Sequence, residues 1–197
     1  TITAMGHFVY VRQGEPLGLG HAVLCAQRAV GDEPFALLLG DDVFDESEPA
    51  LDALIAAHHA TGKSVVGVQE VPLEHVRRYG IVNGPASDEA SLTVSRIVEK
   101  PSPEAAPSRF AVVGRYVLTP DVFAHLERLE PGVGGEYQLT DALMKLAEEG
   151  RLVAARIPAK RFDTGDKLDY LKANVEFALK REDLGPAFLD YLRETIR

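Results

Sequence analysis

The stretch FALLLGDD, residues 35–42, decides the fold class of this chain. An apolar run that ends in glycine and two carboxylates is typical of a buried strand in an α/β protein. Before it, residues 22–30 have apolar side chains at helical spacing, and another apolar run, residues 8–12, precedes a glycine-containing loop, residues 13–21. The order strand, loop, helix, strand predicts a βαβ unit.

Downstream of this unit, short apolar runs and helical segments continue to alternate, which predicts an α/β fold with a mostly parallel, buried sheet. The middle of the chain has strand-like pieces separated by prolines, and these predict an antiparallel or mixed insertion. The predicted strands are residues 35–40, 64–71, 80–83, 92–99, 110–118 and 152–157, and the later predicted helices are residues 51–61, 120–129, 138–149 and a segment around 168–179.

The composition limits the class of protein and its partners. With 197 residues, 46% of them hydrophobic, the chain is long enough for one packed core, and we expect a single domain over residues 1–197. The net charge of −9, from 30 acidic and 21 basic residues, disfavours nucleic acid and anionic membranes, which attract clustered Lys and Arg. A small phosphate compound remains compatible, because local cations, backbone N–H groups and a metal hold such an anion.

Other features of the sequence favour a cytoplasmic location. Cys25 is the single cysteine, so no intrachain disulfide can form, and no apolar run approaches the ~20 residues that span a bilayer. Residues 1–6 carry neither the basic nor the apolar part of a signal peptide. Apolar residues in the predicted C-terminal helices, residues 166–197, favour a contact between subunits, so we expect a homo-oligomer.

Two acidic turns are candidates for a metal site. Asp41 and Asp42 follow the apolar strand, at the end where open α/β sheets bind ligands. Asp163, in a second strand-to-helix turn, can supply another carboxylate, and Mg²⁺ takes one or two carboxylates together with substrate phosphates and waters. The alternative is that these aspartates cap helices or stabilise turns, with Asp163 capping a helix that begins near Asp166.

The loop QGEPLGLGHA, residues 13–22, is a candidate ligand loop because it joins a predicted strand to a predicted helix. Backbone N–H groups at such a helix start can face a base or a phosphate, and glycine permits close approach. The alternative is that the glycines only shape a tight connection. Val23 stands where the dinucleotide fingerprint needs a third glycine, which argues against a nicotinamide or flavin site.

Glu99 and Lys100 end a predicted strand, just before Pro101 breaks it. A carboxylate suits the hydroxyl groups of a sugar and an ammonium suits a phosphate, so this pair can recognise the two ends of a sugar phosphate. The alternative is an exposed ion pair at the end of a strand, which contributes little to stability.

These segments follow one another in an order that resembles the bacterial UTP:glucose-1-phosphate uridylyltransferases, a family of sugar nucleotidyltransferases. GLGHA and EYQLTD resemble the uridylyl branch of that class, whereas EKP and the aspartates are shared across it. The resemblance covers nearly the whole chain and is carried by Gln13 with GLGHAV (18–23), GDD (40–42), YG (79–80), VEKP (98–101), VGRY (113–116), GEYQLTD (135–141) and DTG (163–165).

The resemblance implies a Rossmann-like three-layer α/β/α nucleotidyltransferase fold, similar to glycosyltransferase A, with a mixed sheet. It also implies Mg²⁺ as the cofactor, and UTP, glucose-1-phosphate, UDP-glucose and pyrophosphate as the partners. The implied roles are uracil recognition by Gln13 and Gly18, metal binding by Asp41 and Asp163, sugar binding by Gly80, Glu99, Val112 and Gly114, phosphate binding by Lys100 and Lys167, and catalysis by Asp41, Lys100 and Asp163.

In the implied reaction, a phosphate oxygen of glucose-1-phosphate attacks the α-phosphorus of UTP, and pyrophosphate leaves in line without a covalent enzyme intermediate. Members of the family begin with a loop of the type GxGTR…P…K that cradles the triphosphate, and this sequence has no such segment. We therefore expect a fragment of a longer enzyme, or a chain that has lost its nucleotide half, and no turnover by this chain alone. The alternative functions are a nucleotide-sugar-dependent glycosyltransferase, a non-catalytic nucleotide-sugar-binding module, and a thymidylyl-, adenylyl- or guanylyltransferase.

Overall fold

The computed structural model describes residues 6–45, 49–87 and 90–196, apart from the side chain of residue 133. In chain order the elements are α1 (Leu19–Cys25), α2 (Gln27–Val30), β1 (Phe35–Leu38), β2 (Asp42–Phe44), α3 (Asp52–Thr61), β3 (Ser64–Glu70), β4 (Gly80–Asn83), β5 (Ser91–Thr93), β6 (Arg96–Glu99), β7 (Phe110–Leu118), α4 (Asp121–Leu126), α5 (Leu139–Glu148), β8 (Leu152–Arg156), β9 (Arg161–Asp163), α6 (Lys167–Lys180) and α7 (Gly185–Thr195).

The chain divides into two compact units. Unit 1 comprises Thr1–Leu37 and Leu51–Ile157, and unit 2 comprises Leu38–Ala50 and Pro158–Arg197. The expectation of one nucleotidyltransferase domain over residues 1–197 stays a prediction. No helix in the described part of the chain is both long enough and apolar enough to cross a membrane.

Unit 1 is built on a mixed sheet with the strand order β5-β8-β3-β7-β4-β6, and β1 also pairs with β7. β3 runs parallel to β8 and antiparallel to β7, and the pairs β4–β6, β4–β7 and β5–β8 are antiparallel. The mixed sheet expected from the resemblance is confirmed, whereas the expectation of a mostly parallel sheet is wrong. The reason is that the middle strands join the central sheet directly and do not form a separate insertion.

The sheet of unit 1 curls back on itself. β5 and β6 stand at opposite ends of the strand order, yet only residues 94 and 95 join them. Two residues span about 3.5 Å each, far less than five strand spacings of about 4.8 Å, so the two ends of the sheet come together. The single strand predicted at residues 92–99 is therefore wrong, because the chain passes between the two ends of the sheet within that segment.

Both faces of the central strands are covered. Five consecutive residues of β3, residues 64–68, are buried, which an alternating strand achieves only when layers pack on both of its sides. α3 packs against β3, β7 and β8, and α5 packs against β6 and β8. This arrangement belongs to the layered fold class that the resemblance implies.

The predicted βαβ unit lacks its first strand. Residues 8–12 belong to no strand in the described part of the chain, and Phe8, Val9 and Tyr10 are 61%, 73% and 93% exposed. A strand needs a neighbour to accept and donate its backbone hydrogen bonds, so apolar character alone did not determine this segment. The helix that follows is also shorter than predicted, since it divides into α1 and α2 at Ala26.

Unit 2 contains a two-stranded sheet that the sequence did not predict. β2 and β9 are antiparallel, with Asp42 opposite Asp163 and Val43 opposite Phe162. The Phe162 ring lies 5.7 Å from the ring of Phe177 on α6, which packs the helix against β9. α7 then packs against α6.

The packing of the core predicts that alanine substitutions at two helical leucines change the free energy of unfolding by very different amounts. Leu143 on α5 is 1% exposed, whereas Leu171 on α6 is 60% exposed. Leu143→Ala leaves a cavity and is expected to lower the free energy of unfolding by about 2–5 kcal/mol. Leu171→Ala, the matched control, is expected to change it by less than about 0.5 kcal/mol. Urea denaturation measures both, and equal effects would contradict the packing described for α5.

Candidate functional site

The loop at residues 13–21 is held by its own side chains and by residue 137. Gln13 Nε2 donates to the carbonyl oxygen of Gly18 at 3.1 Å and lies 2.9 Å from His21 Nδ1. The backbone N–H of Gly20 donates to Tyr137 O at 2.8 Å, and Tyr137 N–H donates to Leu17 O at 2.8 Å. The loop is therefore bonded to the segment that leads into α5.

Two glycines permit this close approach. Gly18 has φ 100°, and a Cβ built on it would lie 2.9 Å from both Glu136 Cβ and Tyr137 O. A Cβ on Gly20 would lie 2.7 Å from Tyr137 O. These contacts support the interpretation that the glycines shape a tight connection. Because the Gly20 N–H is already bonded to Tyr137 O, it is not among the N–H groups of the loop that can face a ligand.

The predicted sugar-binding residues lie in one row across three strands. Gly80 on β4 stands opposite Glu99 on β6. On its other side β4 pairs with β7, with Ile81 opposite Ala111, so the next residues along these antiparallel strands are Gly80 and Val112. Residues directly opposite one another share a face of a sheet. The structure thus brings Glu99, Gly80 and Val112 to one face at the end of β4.

Gly114, the fourth predicted sugar residue, lies in a β-bulge. Residues 113–115 of β7 stand opposite Gly67 alone on β3, so the ladder is interrupted there. The carbonyl of Gly114 accepts a hydrogen bond from Arg115 Nη1 at 2.8 Å. Bulges bend a strand and are common beside binding sites, because they change the direction of nearby groups.

Thr140 fixes the orientation of Glu99. Thr140 Oγ1, in the first turn of α5, donates a hydrogen bond of 2.6 Å to Glu99 Oε2. A Cβ on Gly80 would lie 3.3 Å from Glu99 Oε2 and 3.5 Å from Thr140 Oγ1. The absence of a side chain at residue 80 therefore leaves room directly beside a carboxylate oxygen that is already held in place.

Lys100 has a strained backbone at the end of β6. Its φ of 45° is in the left-handed region that residues other than glycine rarely adopt, and its N–H donates to Tyr79 O at 3.0 Å. Lys100 Nζ lies 3.6 Å from Glu99 Oε1, and its side chain is 61% exposed. The exposed ion pair of the alternative interpretation is therefore present, and it contributes little to stability. Strained backbone of this kind is also found at functional sites.

Asp141 adds a second acidic group next to this site. Burial raises the pKa of Asp141 above its ordinary value, and the negative charge of Glu99 raises it further. Glu99 and Asp141, which we call the acidic cluster, thus place two carboxylates within electrostatic range of each other, and Asp141 Oδ2 lies 3.4 Å from the Cβ position of Gly132. Groups of this kind accept hydrogen bonds from hydroxylated ligands.

In unit 2, Asp41 and Asp163 converge on Gly165. A Cβ built on Gly165 would lie 3.2 Å from Asp163 Oδ1 and 3.6 Å from Asp41 Oδ2. Thr164 holds this turn, because its N–H and its hydroxyl both donate to the carbonyl oxygen of Asp41, at 2.7 and 2.8 Å. Glycine at residue 165 therefore keeps space beside two carboxylate groups.

This pair fits a magnesium ion, which takes one or two carboxylates and completes its coordination with phosphates and waters. Among the described residues, no group of three or more His, Cys, Asp or Glu side chains is arranged to hold a metal ion. Asp42 has a different role: its carboxylate pairs with Arg161 Nη1 at 2.5 Å, and both side chains are nearly buried. Asp166, not Asp163, caps α6 by accepting from Leu168 N–H and Asp169 N–H.

Several residues that complete these sites had no sequence-based role. His21, Tyr137 and Thr140 appeared only as members of recognised segments, and Arg161 was not identified at all. Thr140 lies 41 positions from Glu99, and a threonine in the first turn of a helix suggests no long-range contact. Lys167, an expected phosphate ligand, is the first residue of α6 and is exposed.

Comparisons with known proteins agree with this geometry. The nucleotidyl transferase family matches residues 3–180. A UTP–glucose-1-phosphate uridylyltransferase of Bacillus subtilis, YngB, is 46% identical over 196 residues, and UTP–glucose-1-phosphate uridylyltransferase 2 of Staphylococcus saprophyticus is 43% identical over 192 residues. The alignments cover 100% and 98% of this chain and 66% of each relative, so the chain spans slightly less than two thirds of their length.

Solved structures of UDP-glucose pyrophosphorylases are also similar to this chain. A UDP-glucose pyrophosphorylase complexed with UDP-glucose is 39% identical, with a TM-score of 0.85 over 88% of this chain and 67% of that chain. A UTP-bound enzyme of the same kind from Acinetobacter baumannii is 39% identical, with a TM-score of 0.83 over 93% of this chain and 64% of that chain.

The packing of the loop on Tyr137 predicts that alanine substitutions at two glycines of the loop affect stability differently. Gly20→Ala forces a Cβ against a backbone oxygen and is expected to destabilise the protein by about 1–3 kcal/mol. Gly14→Ala is the matched control, because nothing lies within 4 Å of its Cβ position. We expect it to be neutral or to stabilise by up to about 1 kcal/mol. Urea denaturation measures the difference, and an undisturbed Gly20→Ala variant would contradict the contact.

The acidic cluster predicts that Asp141→Asn gains stability over wild type by an amount that depends on pH. Because the folded-state pKa of Asp141 is raised, the folded protein holds the proton more tightly, and stability falls as pH rises from the ordinary pKa through the folded one. Asp141→Asn is expected to be more stable than wild type above that window and equal to it below. The gain should stay below about 1 kcal/mol, because the partly exposed group is screened by solvent.

Unfolding measured by urea from about pH 2.5 to about pH 8 tests this expectation, because this range reaches below the ordinary pKa of a carboxyl group, where the control also titrates. Asp183→Asn is the control of opposite sign, because a hydrogen bond from Arg181 lowers the pKa of Asp183. A gain at Asp141→Asn that does not change with pH would contradict the assignment of the acidic cluster.

Proposed function

The chain belongs to the nucleotidyl transferase family, and we propose that it forms the base-binding and sugar-binding part of an enzyme that transfers a uridylyl group from UTP to glucose-1-phosphate. The observation that carries the proposal is the row of Glu99, Gly80 and Val112, with Glu99 held by Thr140. The relatives are named for this reaction, and a similar structure is complexed with UDP-glucose.

Glu99 and Lys100 bind the sugar phosphate in this proposal. Thr140 holds Oε2 of Glu99 and leaves the carboxylate in a fixed orientation for accepting hydrogen bonds from sugar hydroxyls. Gly80 and Val112 line the same face, where the missing side chain at residue 80 gives the sugar room, and Gly114 lies in the bulge that follows Val112 on β7. Lys100, which is exposed and next to Glu99, supplies a positive charge for the phosphate.

Gln13 and Gly18 bind the uracil base in the proposal. A half-buried amide can read the hydrogen-bonding edge of a base, and the bonds of Gln13 to Gly18 and His21 restrict its rotation. Because the loop is bonded to Tyr137, three residues before Thr140, the base and sugar groups are held by one segment of unit 1.

Asp41 and Asp163 would hold Mg²⁺, with Lys167 as a further phosphate contact. When bound, the ion supplies positive charge that neutralises phosphate oxygens. The residues of this chain act by positioning: they hold a phosphate oxygen of glucose-1-phosphate in line with the α-phosphorus of UTP, and pyrophosphate is the leaving group. No side chain in the proposal forms a covalent bond to the substrate. Asp41, Lys100 and Asp163 thus remain the proposed catalytic group.

A cytoplasmic location and a homo-oligomeric state belong to the same proposal. A single cysteine suits a reducing compartment. Large apolar side chains are exposed on the C-terminal helices of unit 2, and such surfaces commonly make subunit contacts. They include Leu168, Tyr170, Leu171, Tyr191 and Ile196.

Binding of UDP-glucose tests the proposed function. Isothermal titration of the chain with UDP-glucose and Mg²⁺ is expected to show binding, and Glu99→Gln should weaken it about 10- to 100-fold, because a charged acceptor loses its charge. Binding of UDP should hardly change in the same variant, since UDP lacks the glucose that Glu99 is proposed to contact. Glu148→Gln is the matched control, because Glu148 is an exposed carboxylate that pairs with the nearby Lys145 on the surface of α5.

Four results would contradict the proposal. A folded chain that binds no UDP-glucose would overturn it. Equal weakening of UDP and UDP-glucose by Glu99→Gln would remove Glu99 from the sugar site. Tighter binding of dTDP-glucose or ADP-glucose would assign the chain to another branch of the family. In a turnover assay of a longer form, release of pyrophosphate fits the proposal, whereas release of UDP would indicate a glycosyltransferase.

A further inference from the structure

We propose that His21 is a positioning residue that selects the nucleotide base: it holds the amide of Gln13 so that the carbonyl oxygen, and not the amide nitrogen, faces the base. This inference rests on the proposed function, in which Gln13 binds the base, and it assigns to His21 a role in base selection. Two groups contact the amide of Gln13, Gly18 O and His21 Nδ1, and a third, Cys25 Sγ, contacts His21.

Gly18 determines which end of the amide points into the loop. A backbone carbonyl oxygen only accepts hydrogen bonds, so the group 3.1 Å from Gly18 O is the amide nitrogen of Gln13. The carbonyl end of the same amide cannot occupy that place, because two carbonyl oxygens would face each other. This contact therefore fixes the amide in one of its two orientations.

His21 then accepts a hydrogen bond from the second N–H of the Gln13 amide. Nδ1 of His21 lies 2.9 Å from Gln13 Nε2, and two groups that both donate could not form this bond, so Nδ1 accepts. An imidazole that accepts at Nδ1 carries its proton on Nε2. His21 Nε2 lies 3.8 Å from Cys25 Sγ, and the sulfur can accept a hydrogen bond from the Nε2–H group. Gly18 O, the amide nitrogen of Gln13, the imidazole of His21 and Cys25 Sγ thus form a continuous chain of hydrogen bonds.

The chain of hydrogen bonds leaves Gln13 Oε1 as the polar atom of this amide that can contact a ligand. Backbone donors of the loop contribute less, because the Gly20 N–H is bonded to Tyr137 O and the Ala22 N–H is bonded to Gly18 O. A carbonyl oxygen accepts from the ring N–H of uracil or thymine. Cytosine and adenine present a lone pair at the corresponding ring nitrogen, so the two acceptors repel and remain unpaired.

A pair of substitutions separates positioning from a general structural role. His21→Phe keeps a ring but removes the acceptor, so the amide of Gln13 can rotate. His21→Asn restores an acceptor oxygen close to the position of Nδ1. We expect wild type to bind UDP at least tenfold more tightly than CDP in the presence of Mg²⁺. His21→Phe should reduce this ratio by about tenfold, and His21→Asn should recover most of it.

The ratio of the two affinities is the decisive quantity. A variant that only loosens the fold weakens the binding of UDP and of CDP alike and leaves the ratio of the two affinities unchanged. That result would overturn the inference while leaving the proposed function intact. Cys25→Ala is the control, because it removes only the last acceptor of the chain and should keep the ratio within about twofold of wild type. A folded wild-type chain that binds no UDP would overturn both the inference and the proposed function.

The wild-type protein provides a second test that does not depend on whether a variant folds. The ¹⁵N chemical shifts of the His21 imidazole report which nitrogen carries the proton. We expect the proton on Nε2 and a lone pair on Nδ1. A proton on Nδ1 would force the Gln13 amide into the opposite orientation and would overturn the inference.

Discussion

The hydrogen bond from Thr140 to Glu99 is the interaction on which the arrangement of unit 1 as a binding site depends. It joins the start of α5 to the end of β6, two elements 41 residues apart in the chain. Three residues before Thr140, the backbone of Tyr137 bonds to the loop that contains Gln13. One short segment therefore holds both the proposed base-binding loop and the proposed sugar-binding row, and a displacement of this segment would move the two together.

This dual role has structural costs. The loop approaches Tyr137 so closely that Gly18 and Gly20 have no space for a Cβ, and a side chain at residue 80 would enter the space beside Glu99. Asp141 also sits near Glu99, and its raised pKa shows that its negative charge is unfavourable there. Local strain and like charges of this kind are expected at binding sites, where residues are selected for contacts with a ligand and not for stability alone.

The sequence predicts regular strands well and contacts between distant residues poorly. The bounds of β4 and β7 follow directly from their apolar patterns, whereas residues 8–12 have the same pattern and form no strand, because pairing depends on a neighbour. Local patterns did not distinguish the role of Asp41 from that of Asp42. The structure distinguishes them, because Asp42 forms an ion pair with Arg161. The bond between Thr140 and Glu99 has no local signal at all. The proposed roles of the site residues remain predictions drawn from resemblance and geometry.

The central claim is that one segment of unit 1 holds two separate binding regions, one for the base and one for the sugar. Amide chemical-shift mapping by NMR tests it most directly, with UDP and glucose-1-phosphate added separately. The account predicts that UDP shifts the amides of residues 13–21, that glucose-1-phosphate shifts those of Gly80, Glu99 and Gly114, and that both shift Tyr137 and Thr140. Shifts confined to other parts of the chain, or the same residues shifted by both ligands throughout, would contradict it.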